Sequence, residues 1–451
     1  SFPSEFHYDD YPELIHNPQI TQEDFRFGWF LDHYGGRPLT LWTFHWSYRL
    51  FGEVPLGHHA ISFALHLLAV CGVFLAVKKV LPEHLSRNGS EGAVTEQMPF
   101  WTGLIFALHP LQTQAVNYIW SRSVLLMAVF SLAALLAVRR RPWLALALAQ
   151  LAVWSRTEAL LLFLLLIFLD RRRWKAPALL AALNLGAFAL SLIRYAPSEV
   201  GWNHSDQLAF YLAQPVVLLK YLGMMAWPAG LNIDHHVLAP SFLGSVAALV
   251  LTGVLGVGCW RFRRRHPAAV LGIVWACAWL APSLLIPNTD WVNESRTYLA
   301  MAGLALTAGW ALASLAALKQ RTLLTAAALS ILLAMIPVTL HRNQLWQDDV
   351  KLYQDAASKS PAKARVRYNL GSALARVGRV AEAEREYRQA LRLQPLNDLH
   401  HSALGYCAEM QQRWCEARDH YEKALQLNLG NQRALEGLDR LALAFESEEK
   451  L

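Results

Sequence analysis

The 451-residue chain is 54% hydrophobic and only 17% charged, with a formal net charge of +7. Its apolar residues fall in runs of about 20, the length that crosses a bilayer core as helix, which excludes an ordinary soluble domain. The basic residues cluster at the ends of those runs, a footprint of membrane topology and not of a nucleic-acid surface.

The first 55 residues are polar and carry Phe6-His7-Tyr8-Asp9-Asp10. Adjacent carboxylates ahead of a membrane domain are either solvated loop residues or working groups at the lipid–water boundary, since carboxylates are costly in hydrocarbon. Arg37-Pro38-Leu39-Thr40 then leads into Leu41 to Phe51, an aromatic amphipathic stretch predicted to lie as an interfacial helix.

Spans are predicted near 56–80, 100–120, 123–138, 142–154, 158–170, 174–194, 241–260, 267–286, 299–317 and 322–341. The pair at 142–154 and 158–170 is short for full crossings. Lys78-Lys79, Arg139-Arg140-Arg141, Arg171-Arg172-Arg173 with Lys175, Arg261 to Arg265, and Lys319 with Arg321 all fall in the cytoplasm under simple alternation. The condition is that 207–227, with Lys220, Pro215 and Pro228, is interfacial or re-entrant and adds no crossing. Residues 1–55, the loops near 119–123, 155–157, 195–240 and 287–298, and the chain after 341 then share the non-cytoplasmic side.

Polar islands interrupt the apolar runs on that side. His109-Pro110 is followed by Gln112, Gln114, Asn117, Ser121 and Arg122; Arg156-Thr157-Glu158 separates two short spans; Asn293-Glu294-Ser295-Arg296-Thr297-Tyr298 precedes another. Singly, Arg122 and Arg156 read as snorkelling cations, and Glu294 with Arg296 as a local ion pair. Together with the acid pair they supply arginines for an anionic head group and a carboxylate for a base. Asp234-His235-His236 reads as an interfacial loop, not a metal centre.

After 341 the chain turns charged and Ala-rich, with a 34-residue repeat. Leu370-Gly371 aligns with Leu404-Gly405, Ala383 with Ala417, Tyr387 with Tyr421, and Ala390-Leu391 with Ala424-Leu425. That is the tetratricopeptide pattern, giving two full repeats, a half repeat before them and a terminal helix from about 432 as a cap. Such a solenoid serves either as a docking surface for a polypeptide or partner subunit or as a lid. Cys71, Cys259 and Cys277 read as small hydrophobes in apolar runs, and the spacing of Cys407 and Cys415 establishes no bridge. The fold class is therefore all-α: a polytopic membrane helix bundle over 56–341, preceded by a loop domain over 1–55 and followed by a repeat domain over 342–451.

The order Tyr-Asp-Asp, Arg-Pro-Leu-Thr, His-Pro, a Glu after a short span, Glu-x-Arg-x-Tyr and then tetratricopeptide repeats resembles the transmembrane and tetratricopeptide-containing O-mannosyltransferases and their bacterial relatives, in the GT-C glycosyltransferase class. The resemblance covers nearly the whole chain and implies a further span before Ser1. It implies a polyprenyl- or dolichyl-phosphate-linked sugar as donor and a hydroxyl acceptor, often Ser or Thr of an exported protein. Asp9 or Asp10 would be the general base, with Asp9 favoured. Arg296 would bind the donor phosphate, Arg37, His109 and Arg122 are further candidates for that cavity, and Arg156, Glu158, Glu294 and Tyr298 would support it.

Two departures from the family pattern are visible. Arg156-Thr157-Glu158 stands where Lys often precedes the Glu, and Leu299-Ala300-Met301-Ala302 follows Tyr298 in place of Leu-Pro-Ser. The implied chemistry needs no obligate cofactor or metal, because arginine can meet the charge of a leaving monophosphate. The expected location is the bacterial inner membrane with site and repeats in the periplasm, or the endoplasmic reticulum with a lumenal site in a eukaryote. The competing readings are a non-catalytic repeat scaffold and a transporter of lipid-linked sugar; no inverted repeat of spans supports the latter.

Overall fold

The computed structural model describes residues 7, 10, 14–15, 17–21, 37–80, 92–169, 175–195, 204–287, 290–316 and 321–448. Tyr8, Asp9, Arg171-Arg172-Arg173 and Lys319 lie outside the described residues. The described chain is all-helical and divides into two compact units, Ser1–Leu231 with Val237–Gln344 and Asn232–His236 with Leu345–Leu451.

The first unit is built from α1 (Pro38–Phe51), α2 (Pro55–Lys79), α3 (Gly92–Leu108), α4 (Thr113–Asn117), α5 (Arg122–Ala137), α6 (Pro142–Ser155), α7 (Leu160–Leu169), α8 (Lys175–Tyr195), α9 (His204–Ala226), α10 (Phe242–Phe262), α11 (Pro267–Leu285), α12 (Tyr298–Ala316) and α13 (Arg321–Leu345). Proline opens α1, α2, α6 and α11, where its missing N–H would have no partner anyway. Among the described residues, Pro55–Lys79, Ile119–Ala137, Gln207–Ala226, Phe242–Phe262, Pro267–Leu285 and Glu294–Leu315 are long and apolar enough to cross a membrane.

Two sequence expectations are corrected here. The span at 100–120 is not one helix: α3 ends before His109-Pro110, and 3-10 turns at Pro110–Gln112 and Ile119–Ser121 flank α4. Of the two readings of 207–227, interfacial or re-entrant, the re-entrant one fails, because α9 runs unbroken through Pro215. Phe210, Ala213, Val217, Tyr221 and Met224 recur at helical spacing as its buried stripe, and Pro215 and Lys220 lie off it.

The second unit has α14 (Asp349–Lys359), then the helix pairs α15 (Ala364–Arg376) with α16 (Val380–Leu393) and α17 (Asp398–Met410) with α18 (Trp414–Leu427), then α19 (Gln432–Glu448). The repeat pattern has a steric cause. A Cβ on Gly371 or Gly405 would come within 2.7 Å of the ring of Tyr387 or Tyr421, so each glycine is where the second helix of its repeat lays a tyrosine on the first. The turn inside each repeat needs one left-handed residue, supplied by Gly378 (φ 78°) in the first and by Gln412 (φ 58°) in the second. In both, the next N–H reaches back five residues, from Arg379 to Leu374 O and from Arg413 to Ala408 O.

Asn232–His236 belongs to this second unit. Arg365 grips the Asp234 carboxylate with two hydrogen bonds, at 2.8 and 2.7 Å, and Lys363 makes a third. Ser360 Oγ accepts from Asn232 Nδ2 and from the His236 N–H. Asp234 is thus a salt-bridge partner, which accounts for it without a metal.

Candidate active site

The short connections of the first unit gather at one place. The 3-10 turn Glu294–Thr297 packs on both Pro110–Gln112 and α4, and the turn Thr157–Ala159 packs on α11. Thr40 Oγ1 donates to Ser155 O at 3.1 Å, which sets the start of α1 against the end of α6.

Asp10 is fully buried. Its Oδ1 accepts from the Trp120 N–H at 2.8 Å and its Oδ2 from the His7 N–H at 3.0 Å. Arg122 lies within electrostatic range of Asp10, yet its guanidinium is spent on protein partners. Nη1 donates to Ser47 Oγ at 2.9 Å and Thr43 O at 3.2 Å, Nη2 donates to His58 O at 3.4 Å, and the group lies 4.4 Å above the Phe44 ring. Phe44 in turn stacks on Trp120.

A cationic group lies alongside. Arg156 holds Glu158 through Nε and Nη2, both 2.8 Å from Oε1, and its Nη1 reaches Ser123 Oγ at 3.5 Å. Arg156, Glu158 and Arg296 line one narrow pocket with Met127, Trp279 and Ser283. Arg296 Nη1 donates to Asp290 O at 2.7 Å. Arg37 is within electrostatic range of Arg156, Glu158, Arg296 and Tyr118; burial, and then the like charge of Arg156, push its pKa down to about 10. Its backbone is left-handed (φ 62°, ψ 55°) at the start of α1, a strained conformation for a residue with a Cβ.

The structure therefore brings Arg37, Arg156, Glu158 and Arg296 together, and the six residues 118–123 join them to Asp10. Tyr118 faces Arg37, Trp120 binds Asp10, and Ser123 touches Arg156. Three other candidates turn elsewhere. Glu294 is fully buried in an ion pair with Arg342 at 3.0 Å. Tyr298 OH bonds His66 Nδ1 at 2.7 Å inside the bundle. His109 Nδ1 accepts from the Leu111 N–H at 3.3 Å, and its ring faces the Met225 carbonyl.

Sequence reasoning missed Tyr221, whose hydroxyl accepts from the Asn293 N–H at 2.9 Å, donates to Asn293 O at 3.4 Å and faces Arg296. It also missed Arg342. Arg342 lies in the polar last turn of α13, where the sequence gives no local signal of its partner.

Fold and site define a polytopic helical membrane protein with a short tetratricopeptide solenoid, and the tetratricopeptide repeat family model matches residues 342–387 and 368–431. Over 87% of its length the chain is 25% identical to Protein O-mannosyl-transferase F38B6.6 of Caenorhabditis elegans, across 60% of that protein. It is 24% identical, again over 87% of its length, to Protein O-mannosyl-transferase Tmtc3 of Drosophila melanogaster, across 52% of that protein. A 147-residue stretch is 33% identical to Protein O-mannosyl-transferase Tmtc1 of the same fly, covering 30% of this chain and 16% of that protein. The chain is thus a relative of the transmembrane and tetratricopeptide-containing O-mannosyltransferases that its motifs resemble, and it spans between half and two thirds of the length of the first two.

Proposed function

We propose that the chain is a membrane glycosyltransferase that moves a mannose-like sugar from a polyprenyl-phosphate donor to a hydroxyl, that of Ser or Thr on an exported polypeptide. The observation that carries it is the 118–123 link, which joins Asp10 to a group of three arginines. The acceptor hydroxyl gives its proton to a carboxylate as its oxygen bonds the anomeric carbon. The bond from that carbon to the phosphate oxygen breaks, and the phosphate leaves with its charge met by Arg296, Arg37 and Arg156. A single attack from the opposite face inverts the anomeric centre, with no obligate metal.

Both carboxylate oxygens of Asp10 accept backbone N–H groups, which suits an anchor for the loop and leaves Asp9 as the base. The site faces the periplasm, or the lumen in a eukaryote, and the solenoid presents the polypeptide or a partner subunit.

The test is transfer of mannose from a polyprenyl-phosphate donor to a Ser/Thr peptide by the purified full chain. Asp9→Asn is expected to lower kcat by about 10²–10⁴ without loss of folding. Asp10→Asn is expected to lower activity together with thermal stability. Wild-type protein that binds partners through its repeats but transfers no sugar would make it a scaffold. Lipid-linked sugar that crosses vesicles unconsumed would make it a transporter.

A further inference from the structure

The polar island 109–117 contributes nothing to the reading above, yet it holds the least satisfied side chain near the site. Gln112 is 3% exposed, and no described group lies within hydrogen-bond reach of its Nε2 or its Oε1. Asn117, 1% exposed, donates through Nδ2 to Asn343 Oδ1 at 2.7 Å, while its own Oδ1 has no such partner. Buried polar atoms are nearly always paired, because burying them unpaired costs free energy. Among the described residues nothing supplies a partner for the Gln112 amide, which points to a group bound there.

Position and chemistry narrow what that is. Gln112 ends the Pro110–Gln112 turn, which packs directly on Glu294–Thr297, the turn that carries Arg296. The turn that carries Gln112 therefore lies against the turn that carries Arg296. No charged side chain shares the segment Pro110–Asn117, which disfavours a second anionic group. An amide offers one donor group and one acceptor, the complement of hydroxyls, each of which is both.

We propose that Gln112, with Asn117 behind it, is the donor-sugar recognition element: its amide pairs with ring hydroxyls of the sugar whose phosphate lies at Arg296. This rests on the glycosyltransferase reading and adds which residue sets sugar preference. Gln112 is a specificity residue here, not a base or a phosphate ligand.

The experiment compares the full-length wild type with Gln112→Met, a near-isosteric side chain lacking both polar groups. Donors are polyprenyl-phosphate mannose and its epimeric and deoxy analogues, with one Ser/Thr peptide as acceptor. The expected result is a fall of about tenfold or more in kcat/KM for the preferred donor. The preference among analogues should collapse, and the peptide KM should stay unchanged. Without donor, Gln112→Met should melt at or above the wild-type temperature, since an unpaired amide has been removed. A variant that melts lower and keeps wild-type sugar preference shows an amide serving the fold, and overturns the proposal. So does a change confined to the peptide KM. Wild-type protein that transfers no sugar fails the glycosyltransferase reading instead; the proposal then fails with it, whatever the melting comparison shows.

Discussion

The Glu294–Arg342 pair offers the sharpest test of how the site is held. Nη2 of Arg342 lies 3.0 Å from Glu294 Oε2, the side chains are 4% and 0% exposed, and Nη1 donates to Leu231 O at 3.2 Å. Removing one partner of a buried ion pair costs about 3–5 kcal/mol. Arg342→Met takes the opposite charge from the Glu294 carboxylate and one donor from Leu231 O; Glu294→Gln takes the opposite charge from the guanidinium. The double variant Glu294→Gln/Arg342→Met removes both charges and should regain most of the loss, because a buried ion pair contributes little net against neutral groups of similar volume. Thermal unfolding of the detergent-solubilised full chain reads all three. Transfer activity should follow stability, since Arg296 lies two residues from Glu294 on the same turn. A single variant within about 0.5 kcal/mol of wild type, the scale of an ordinary surface substitution, refutes the argument. A double variant no better than the worse single does the same.

The repeat unit yields three more expectations. Gln412 occupies the left-handed turn position that Gly378 fills one repeat earlier, so Gln412→Gly should stabilise the unit by about 0.5–1 kcal/mol, read as slower hydrogen exchange in α17 and α18; faster exchange refutes it. Gly405→Ala drives a methyl to within 2.7 Å of the Tyr421 ring and should cost about 1–3 kcal/mol by the same measurement, whereas neutrality would mean the two helices part freely. Burial alone would raise the Asp234 pKa, but Arg365 and then Lys363 hold it below the usual carboxylate value. Its contribution is therefore present above the unfolded value of about 3.9 and lost as pH falls through the lower folded one. The stability gap between wild type and Asp234→Asn should close on acidification through that range, and a gap that stays constant with pH refutes the assignment.

What the sequence disclosed, and what it hid, follows from how each interaction is encoded. Tyr387 and Tyr421 announce themselves because the glycine each covers recurs at the same offset. The apolar runs of α2, α10 and α11 are equally plain, since a bilayer demands nearly every residue in a span. The re-entrant reading of 207–227 failed because it weighed Pro215 and Lys220 above the buried stripe from Phe210 to Met224. A proline off the packed face removes one hydrogen bond without ending a helix that its neighbours hold. The failure at 100–120 ran the other way, for there the proline follows a residue that must leave helical backbone, and α3 stops.

The site divides along the same line. Arg156 and Glu158 sit two residues apart, so their pairing could be read locally, and Arg296 could be placed at a span's mouth. The pairings that decide which charges remain available run across the whole fold, Glu294 to Arg342 and Tyr298 to His66, and no local pattern reports them. They sort the candidates by a simple rule. A charge already met by an opposite charge or by several protein carbonyls gains little from a ligand, and one crowded by like charge gains most. Arg122 and Glu294 fall in the first class. Arg37 falls in the second: it is half-buried, its pKa is pushed down, it is set against Arg156, and it is held there by a strained backbone. On the proposed function, a donor phosphate bound there would relieve the repulsion between Arg37 and Arg156, so that the electrostatic cost of holding them together becomes affinity for the phosphate.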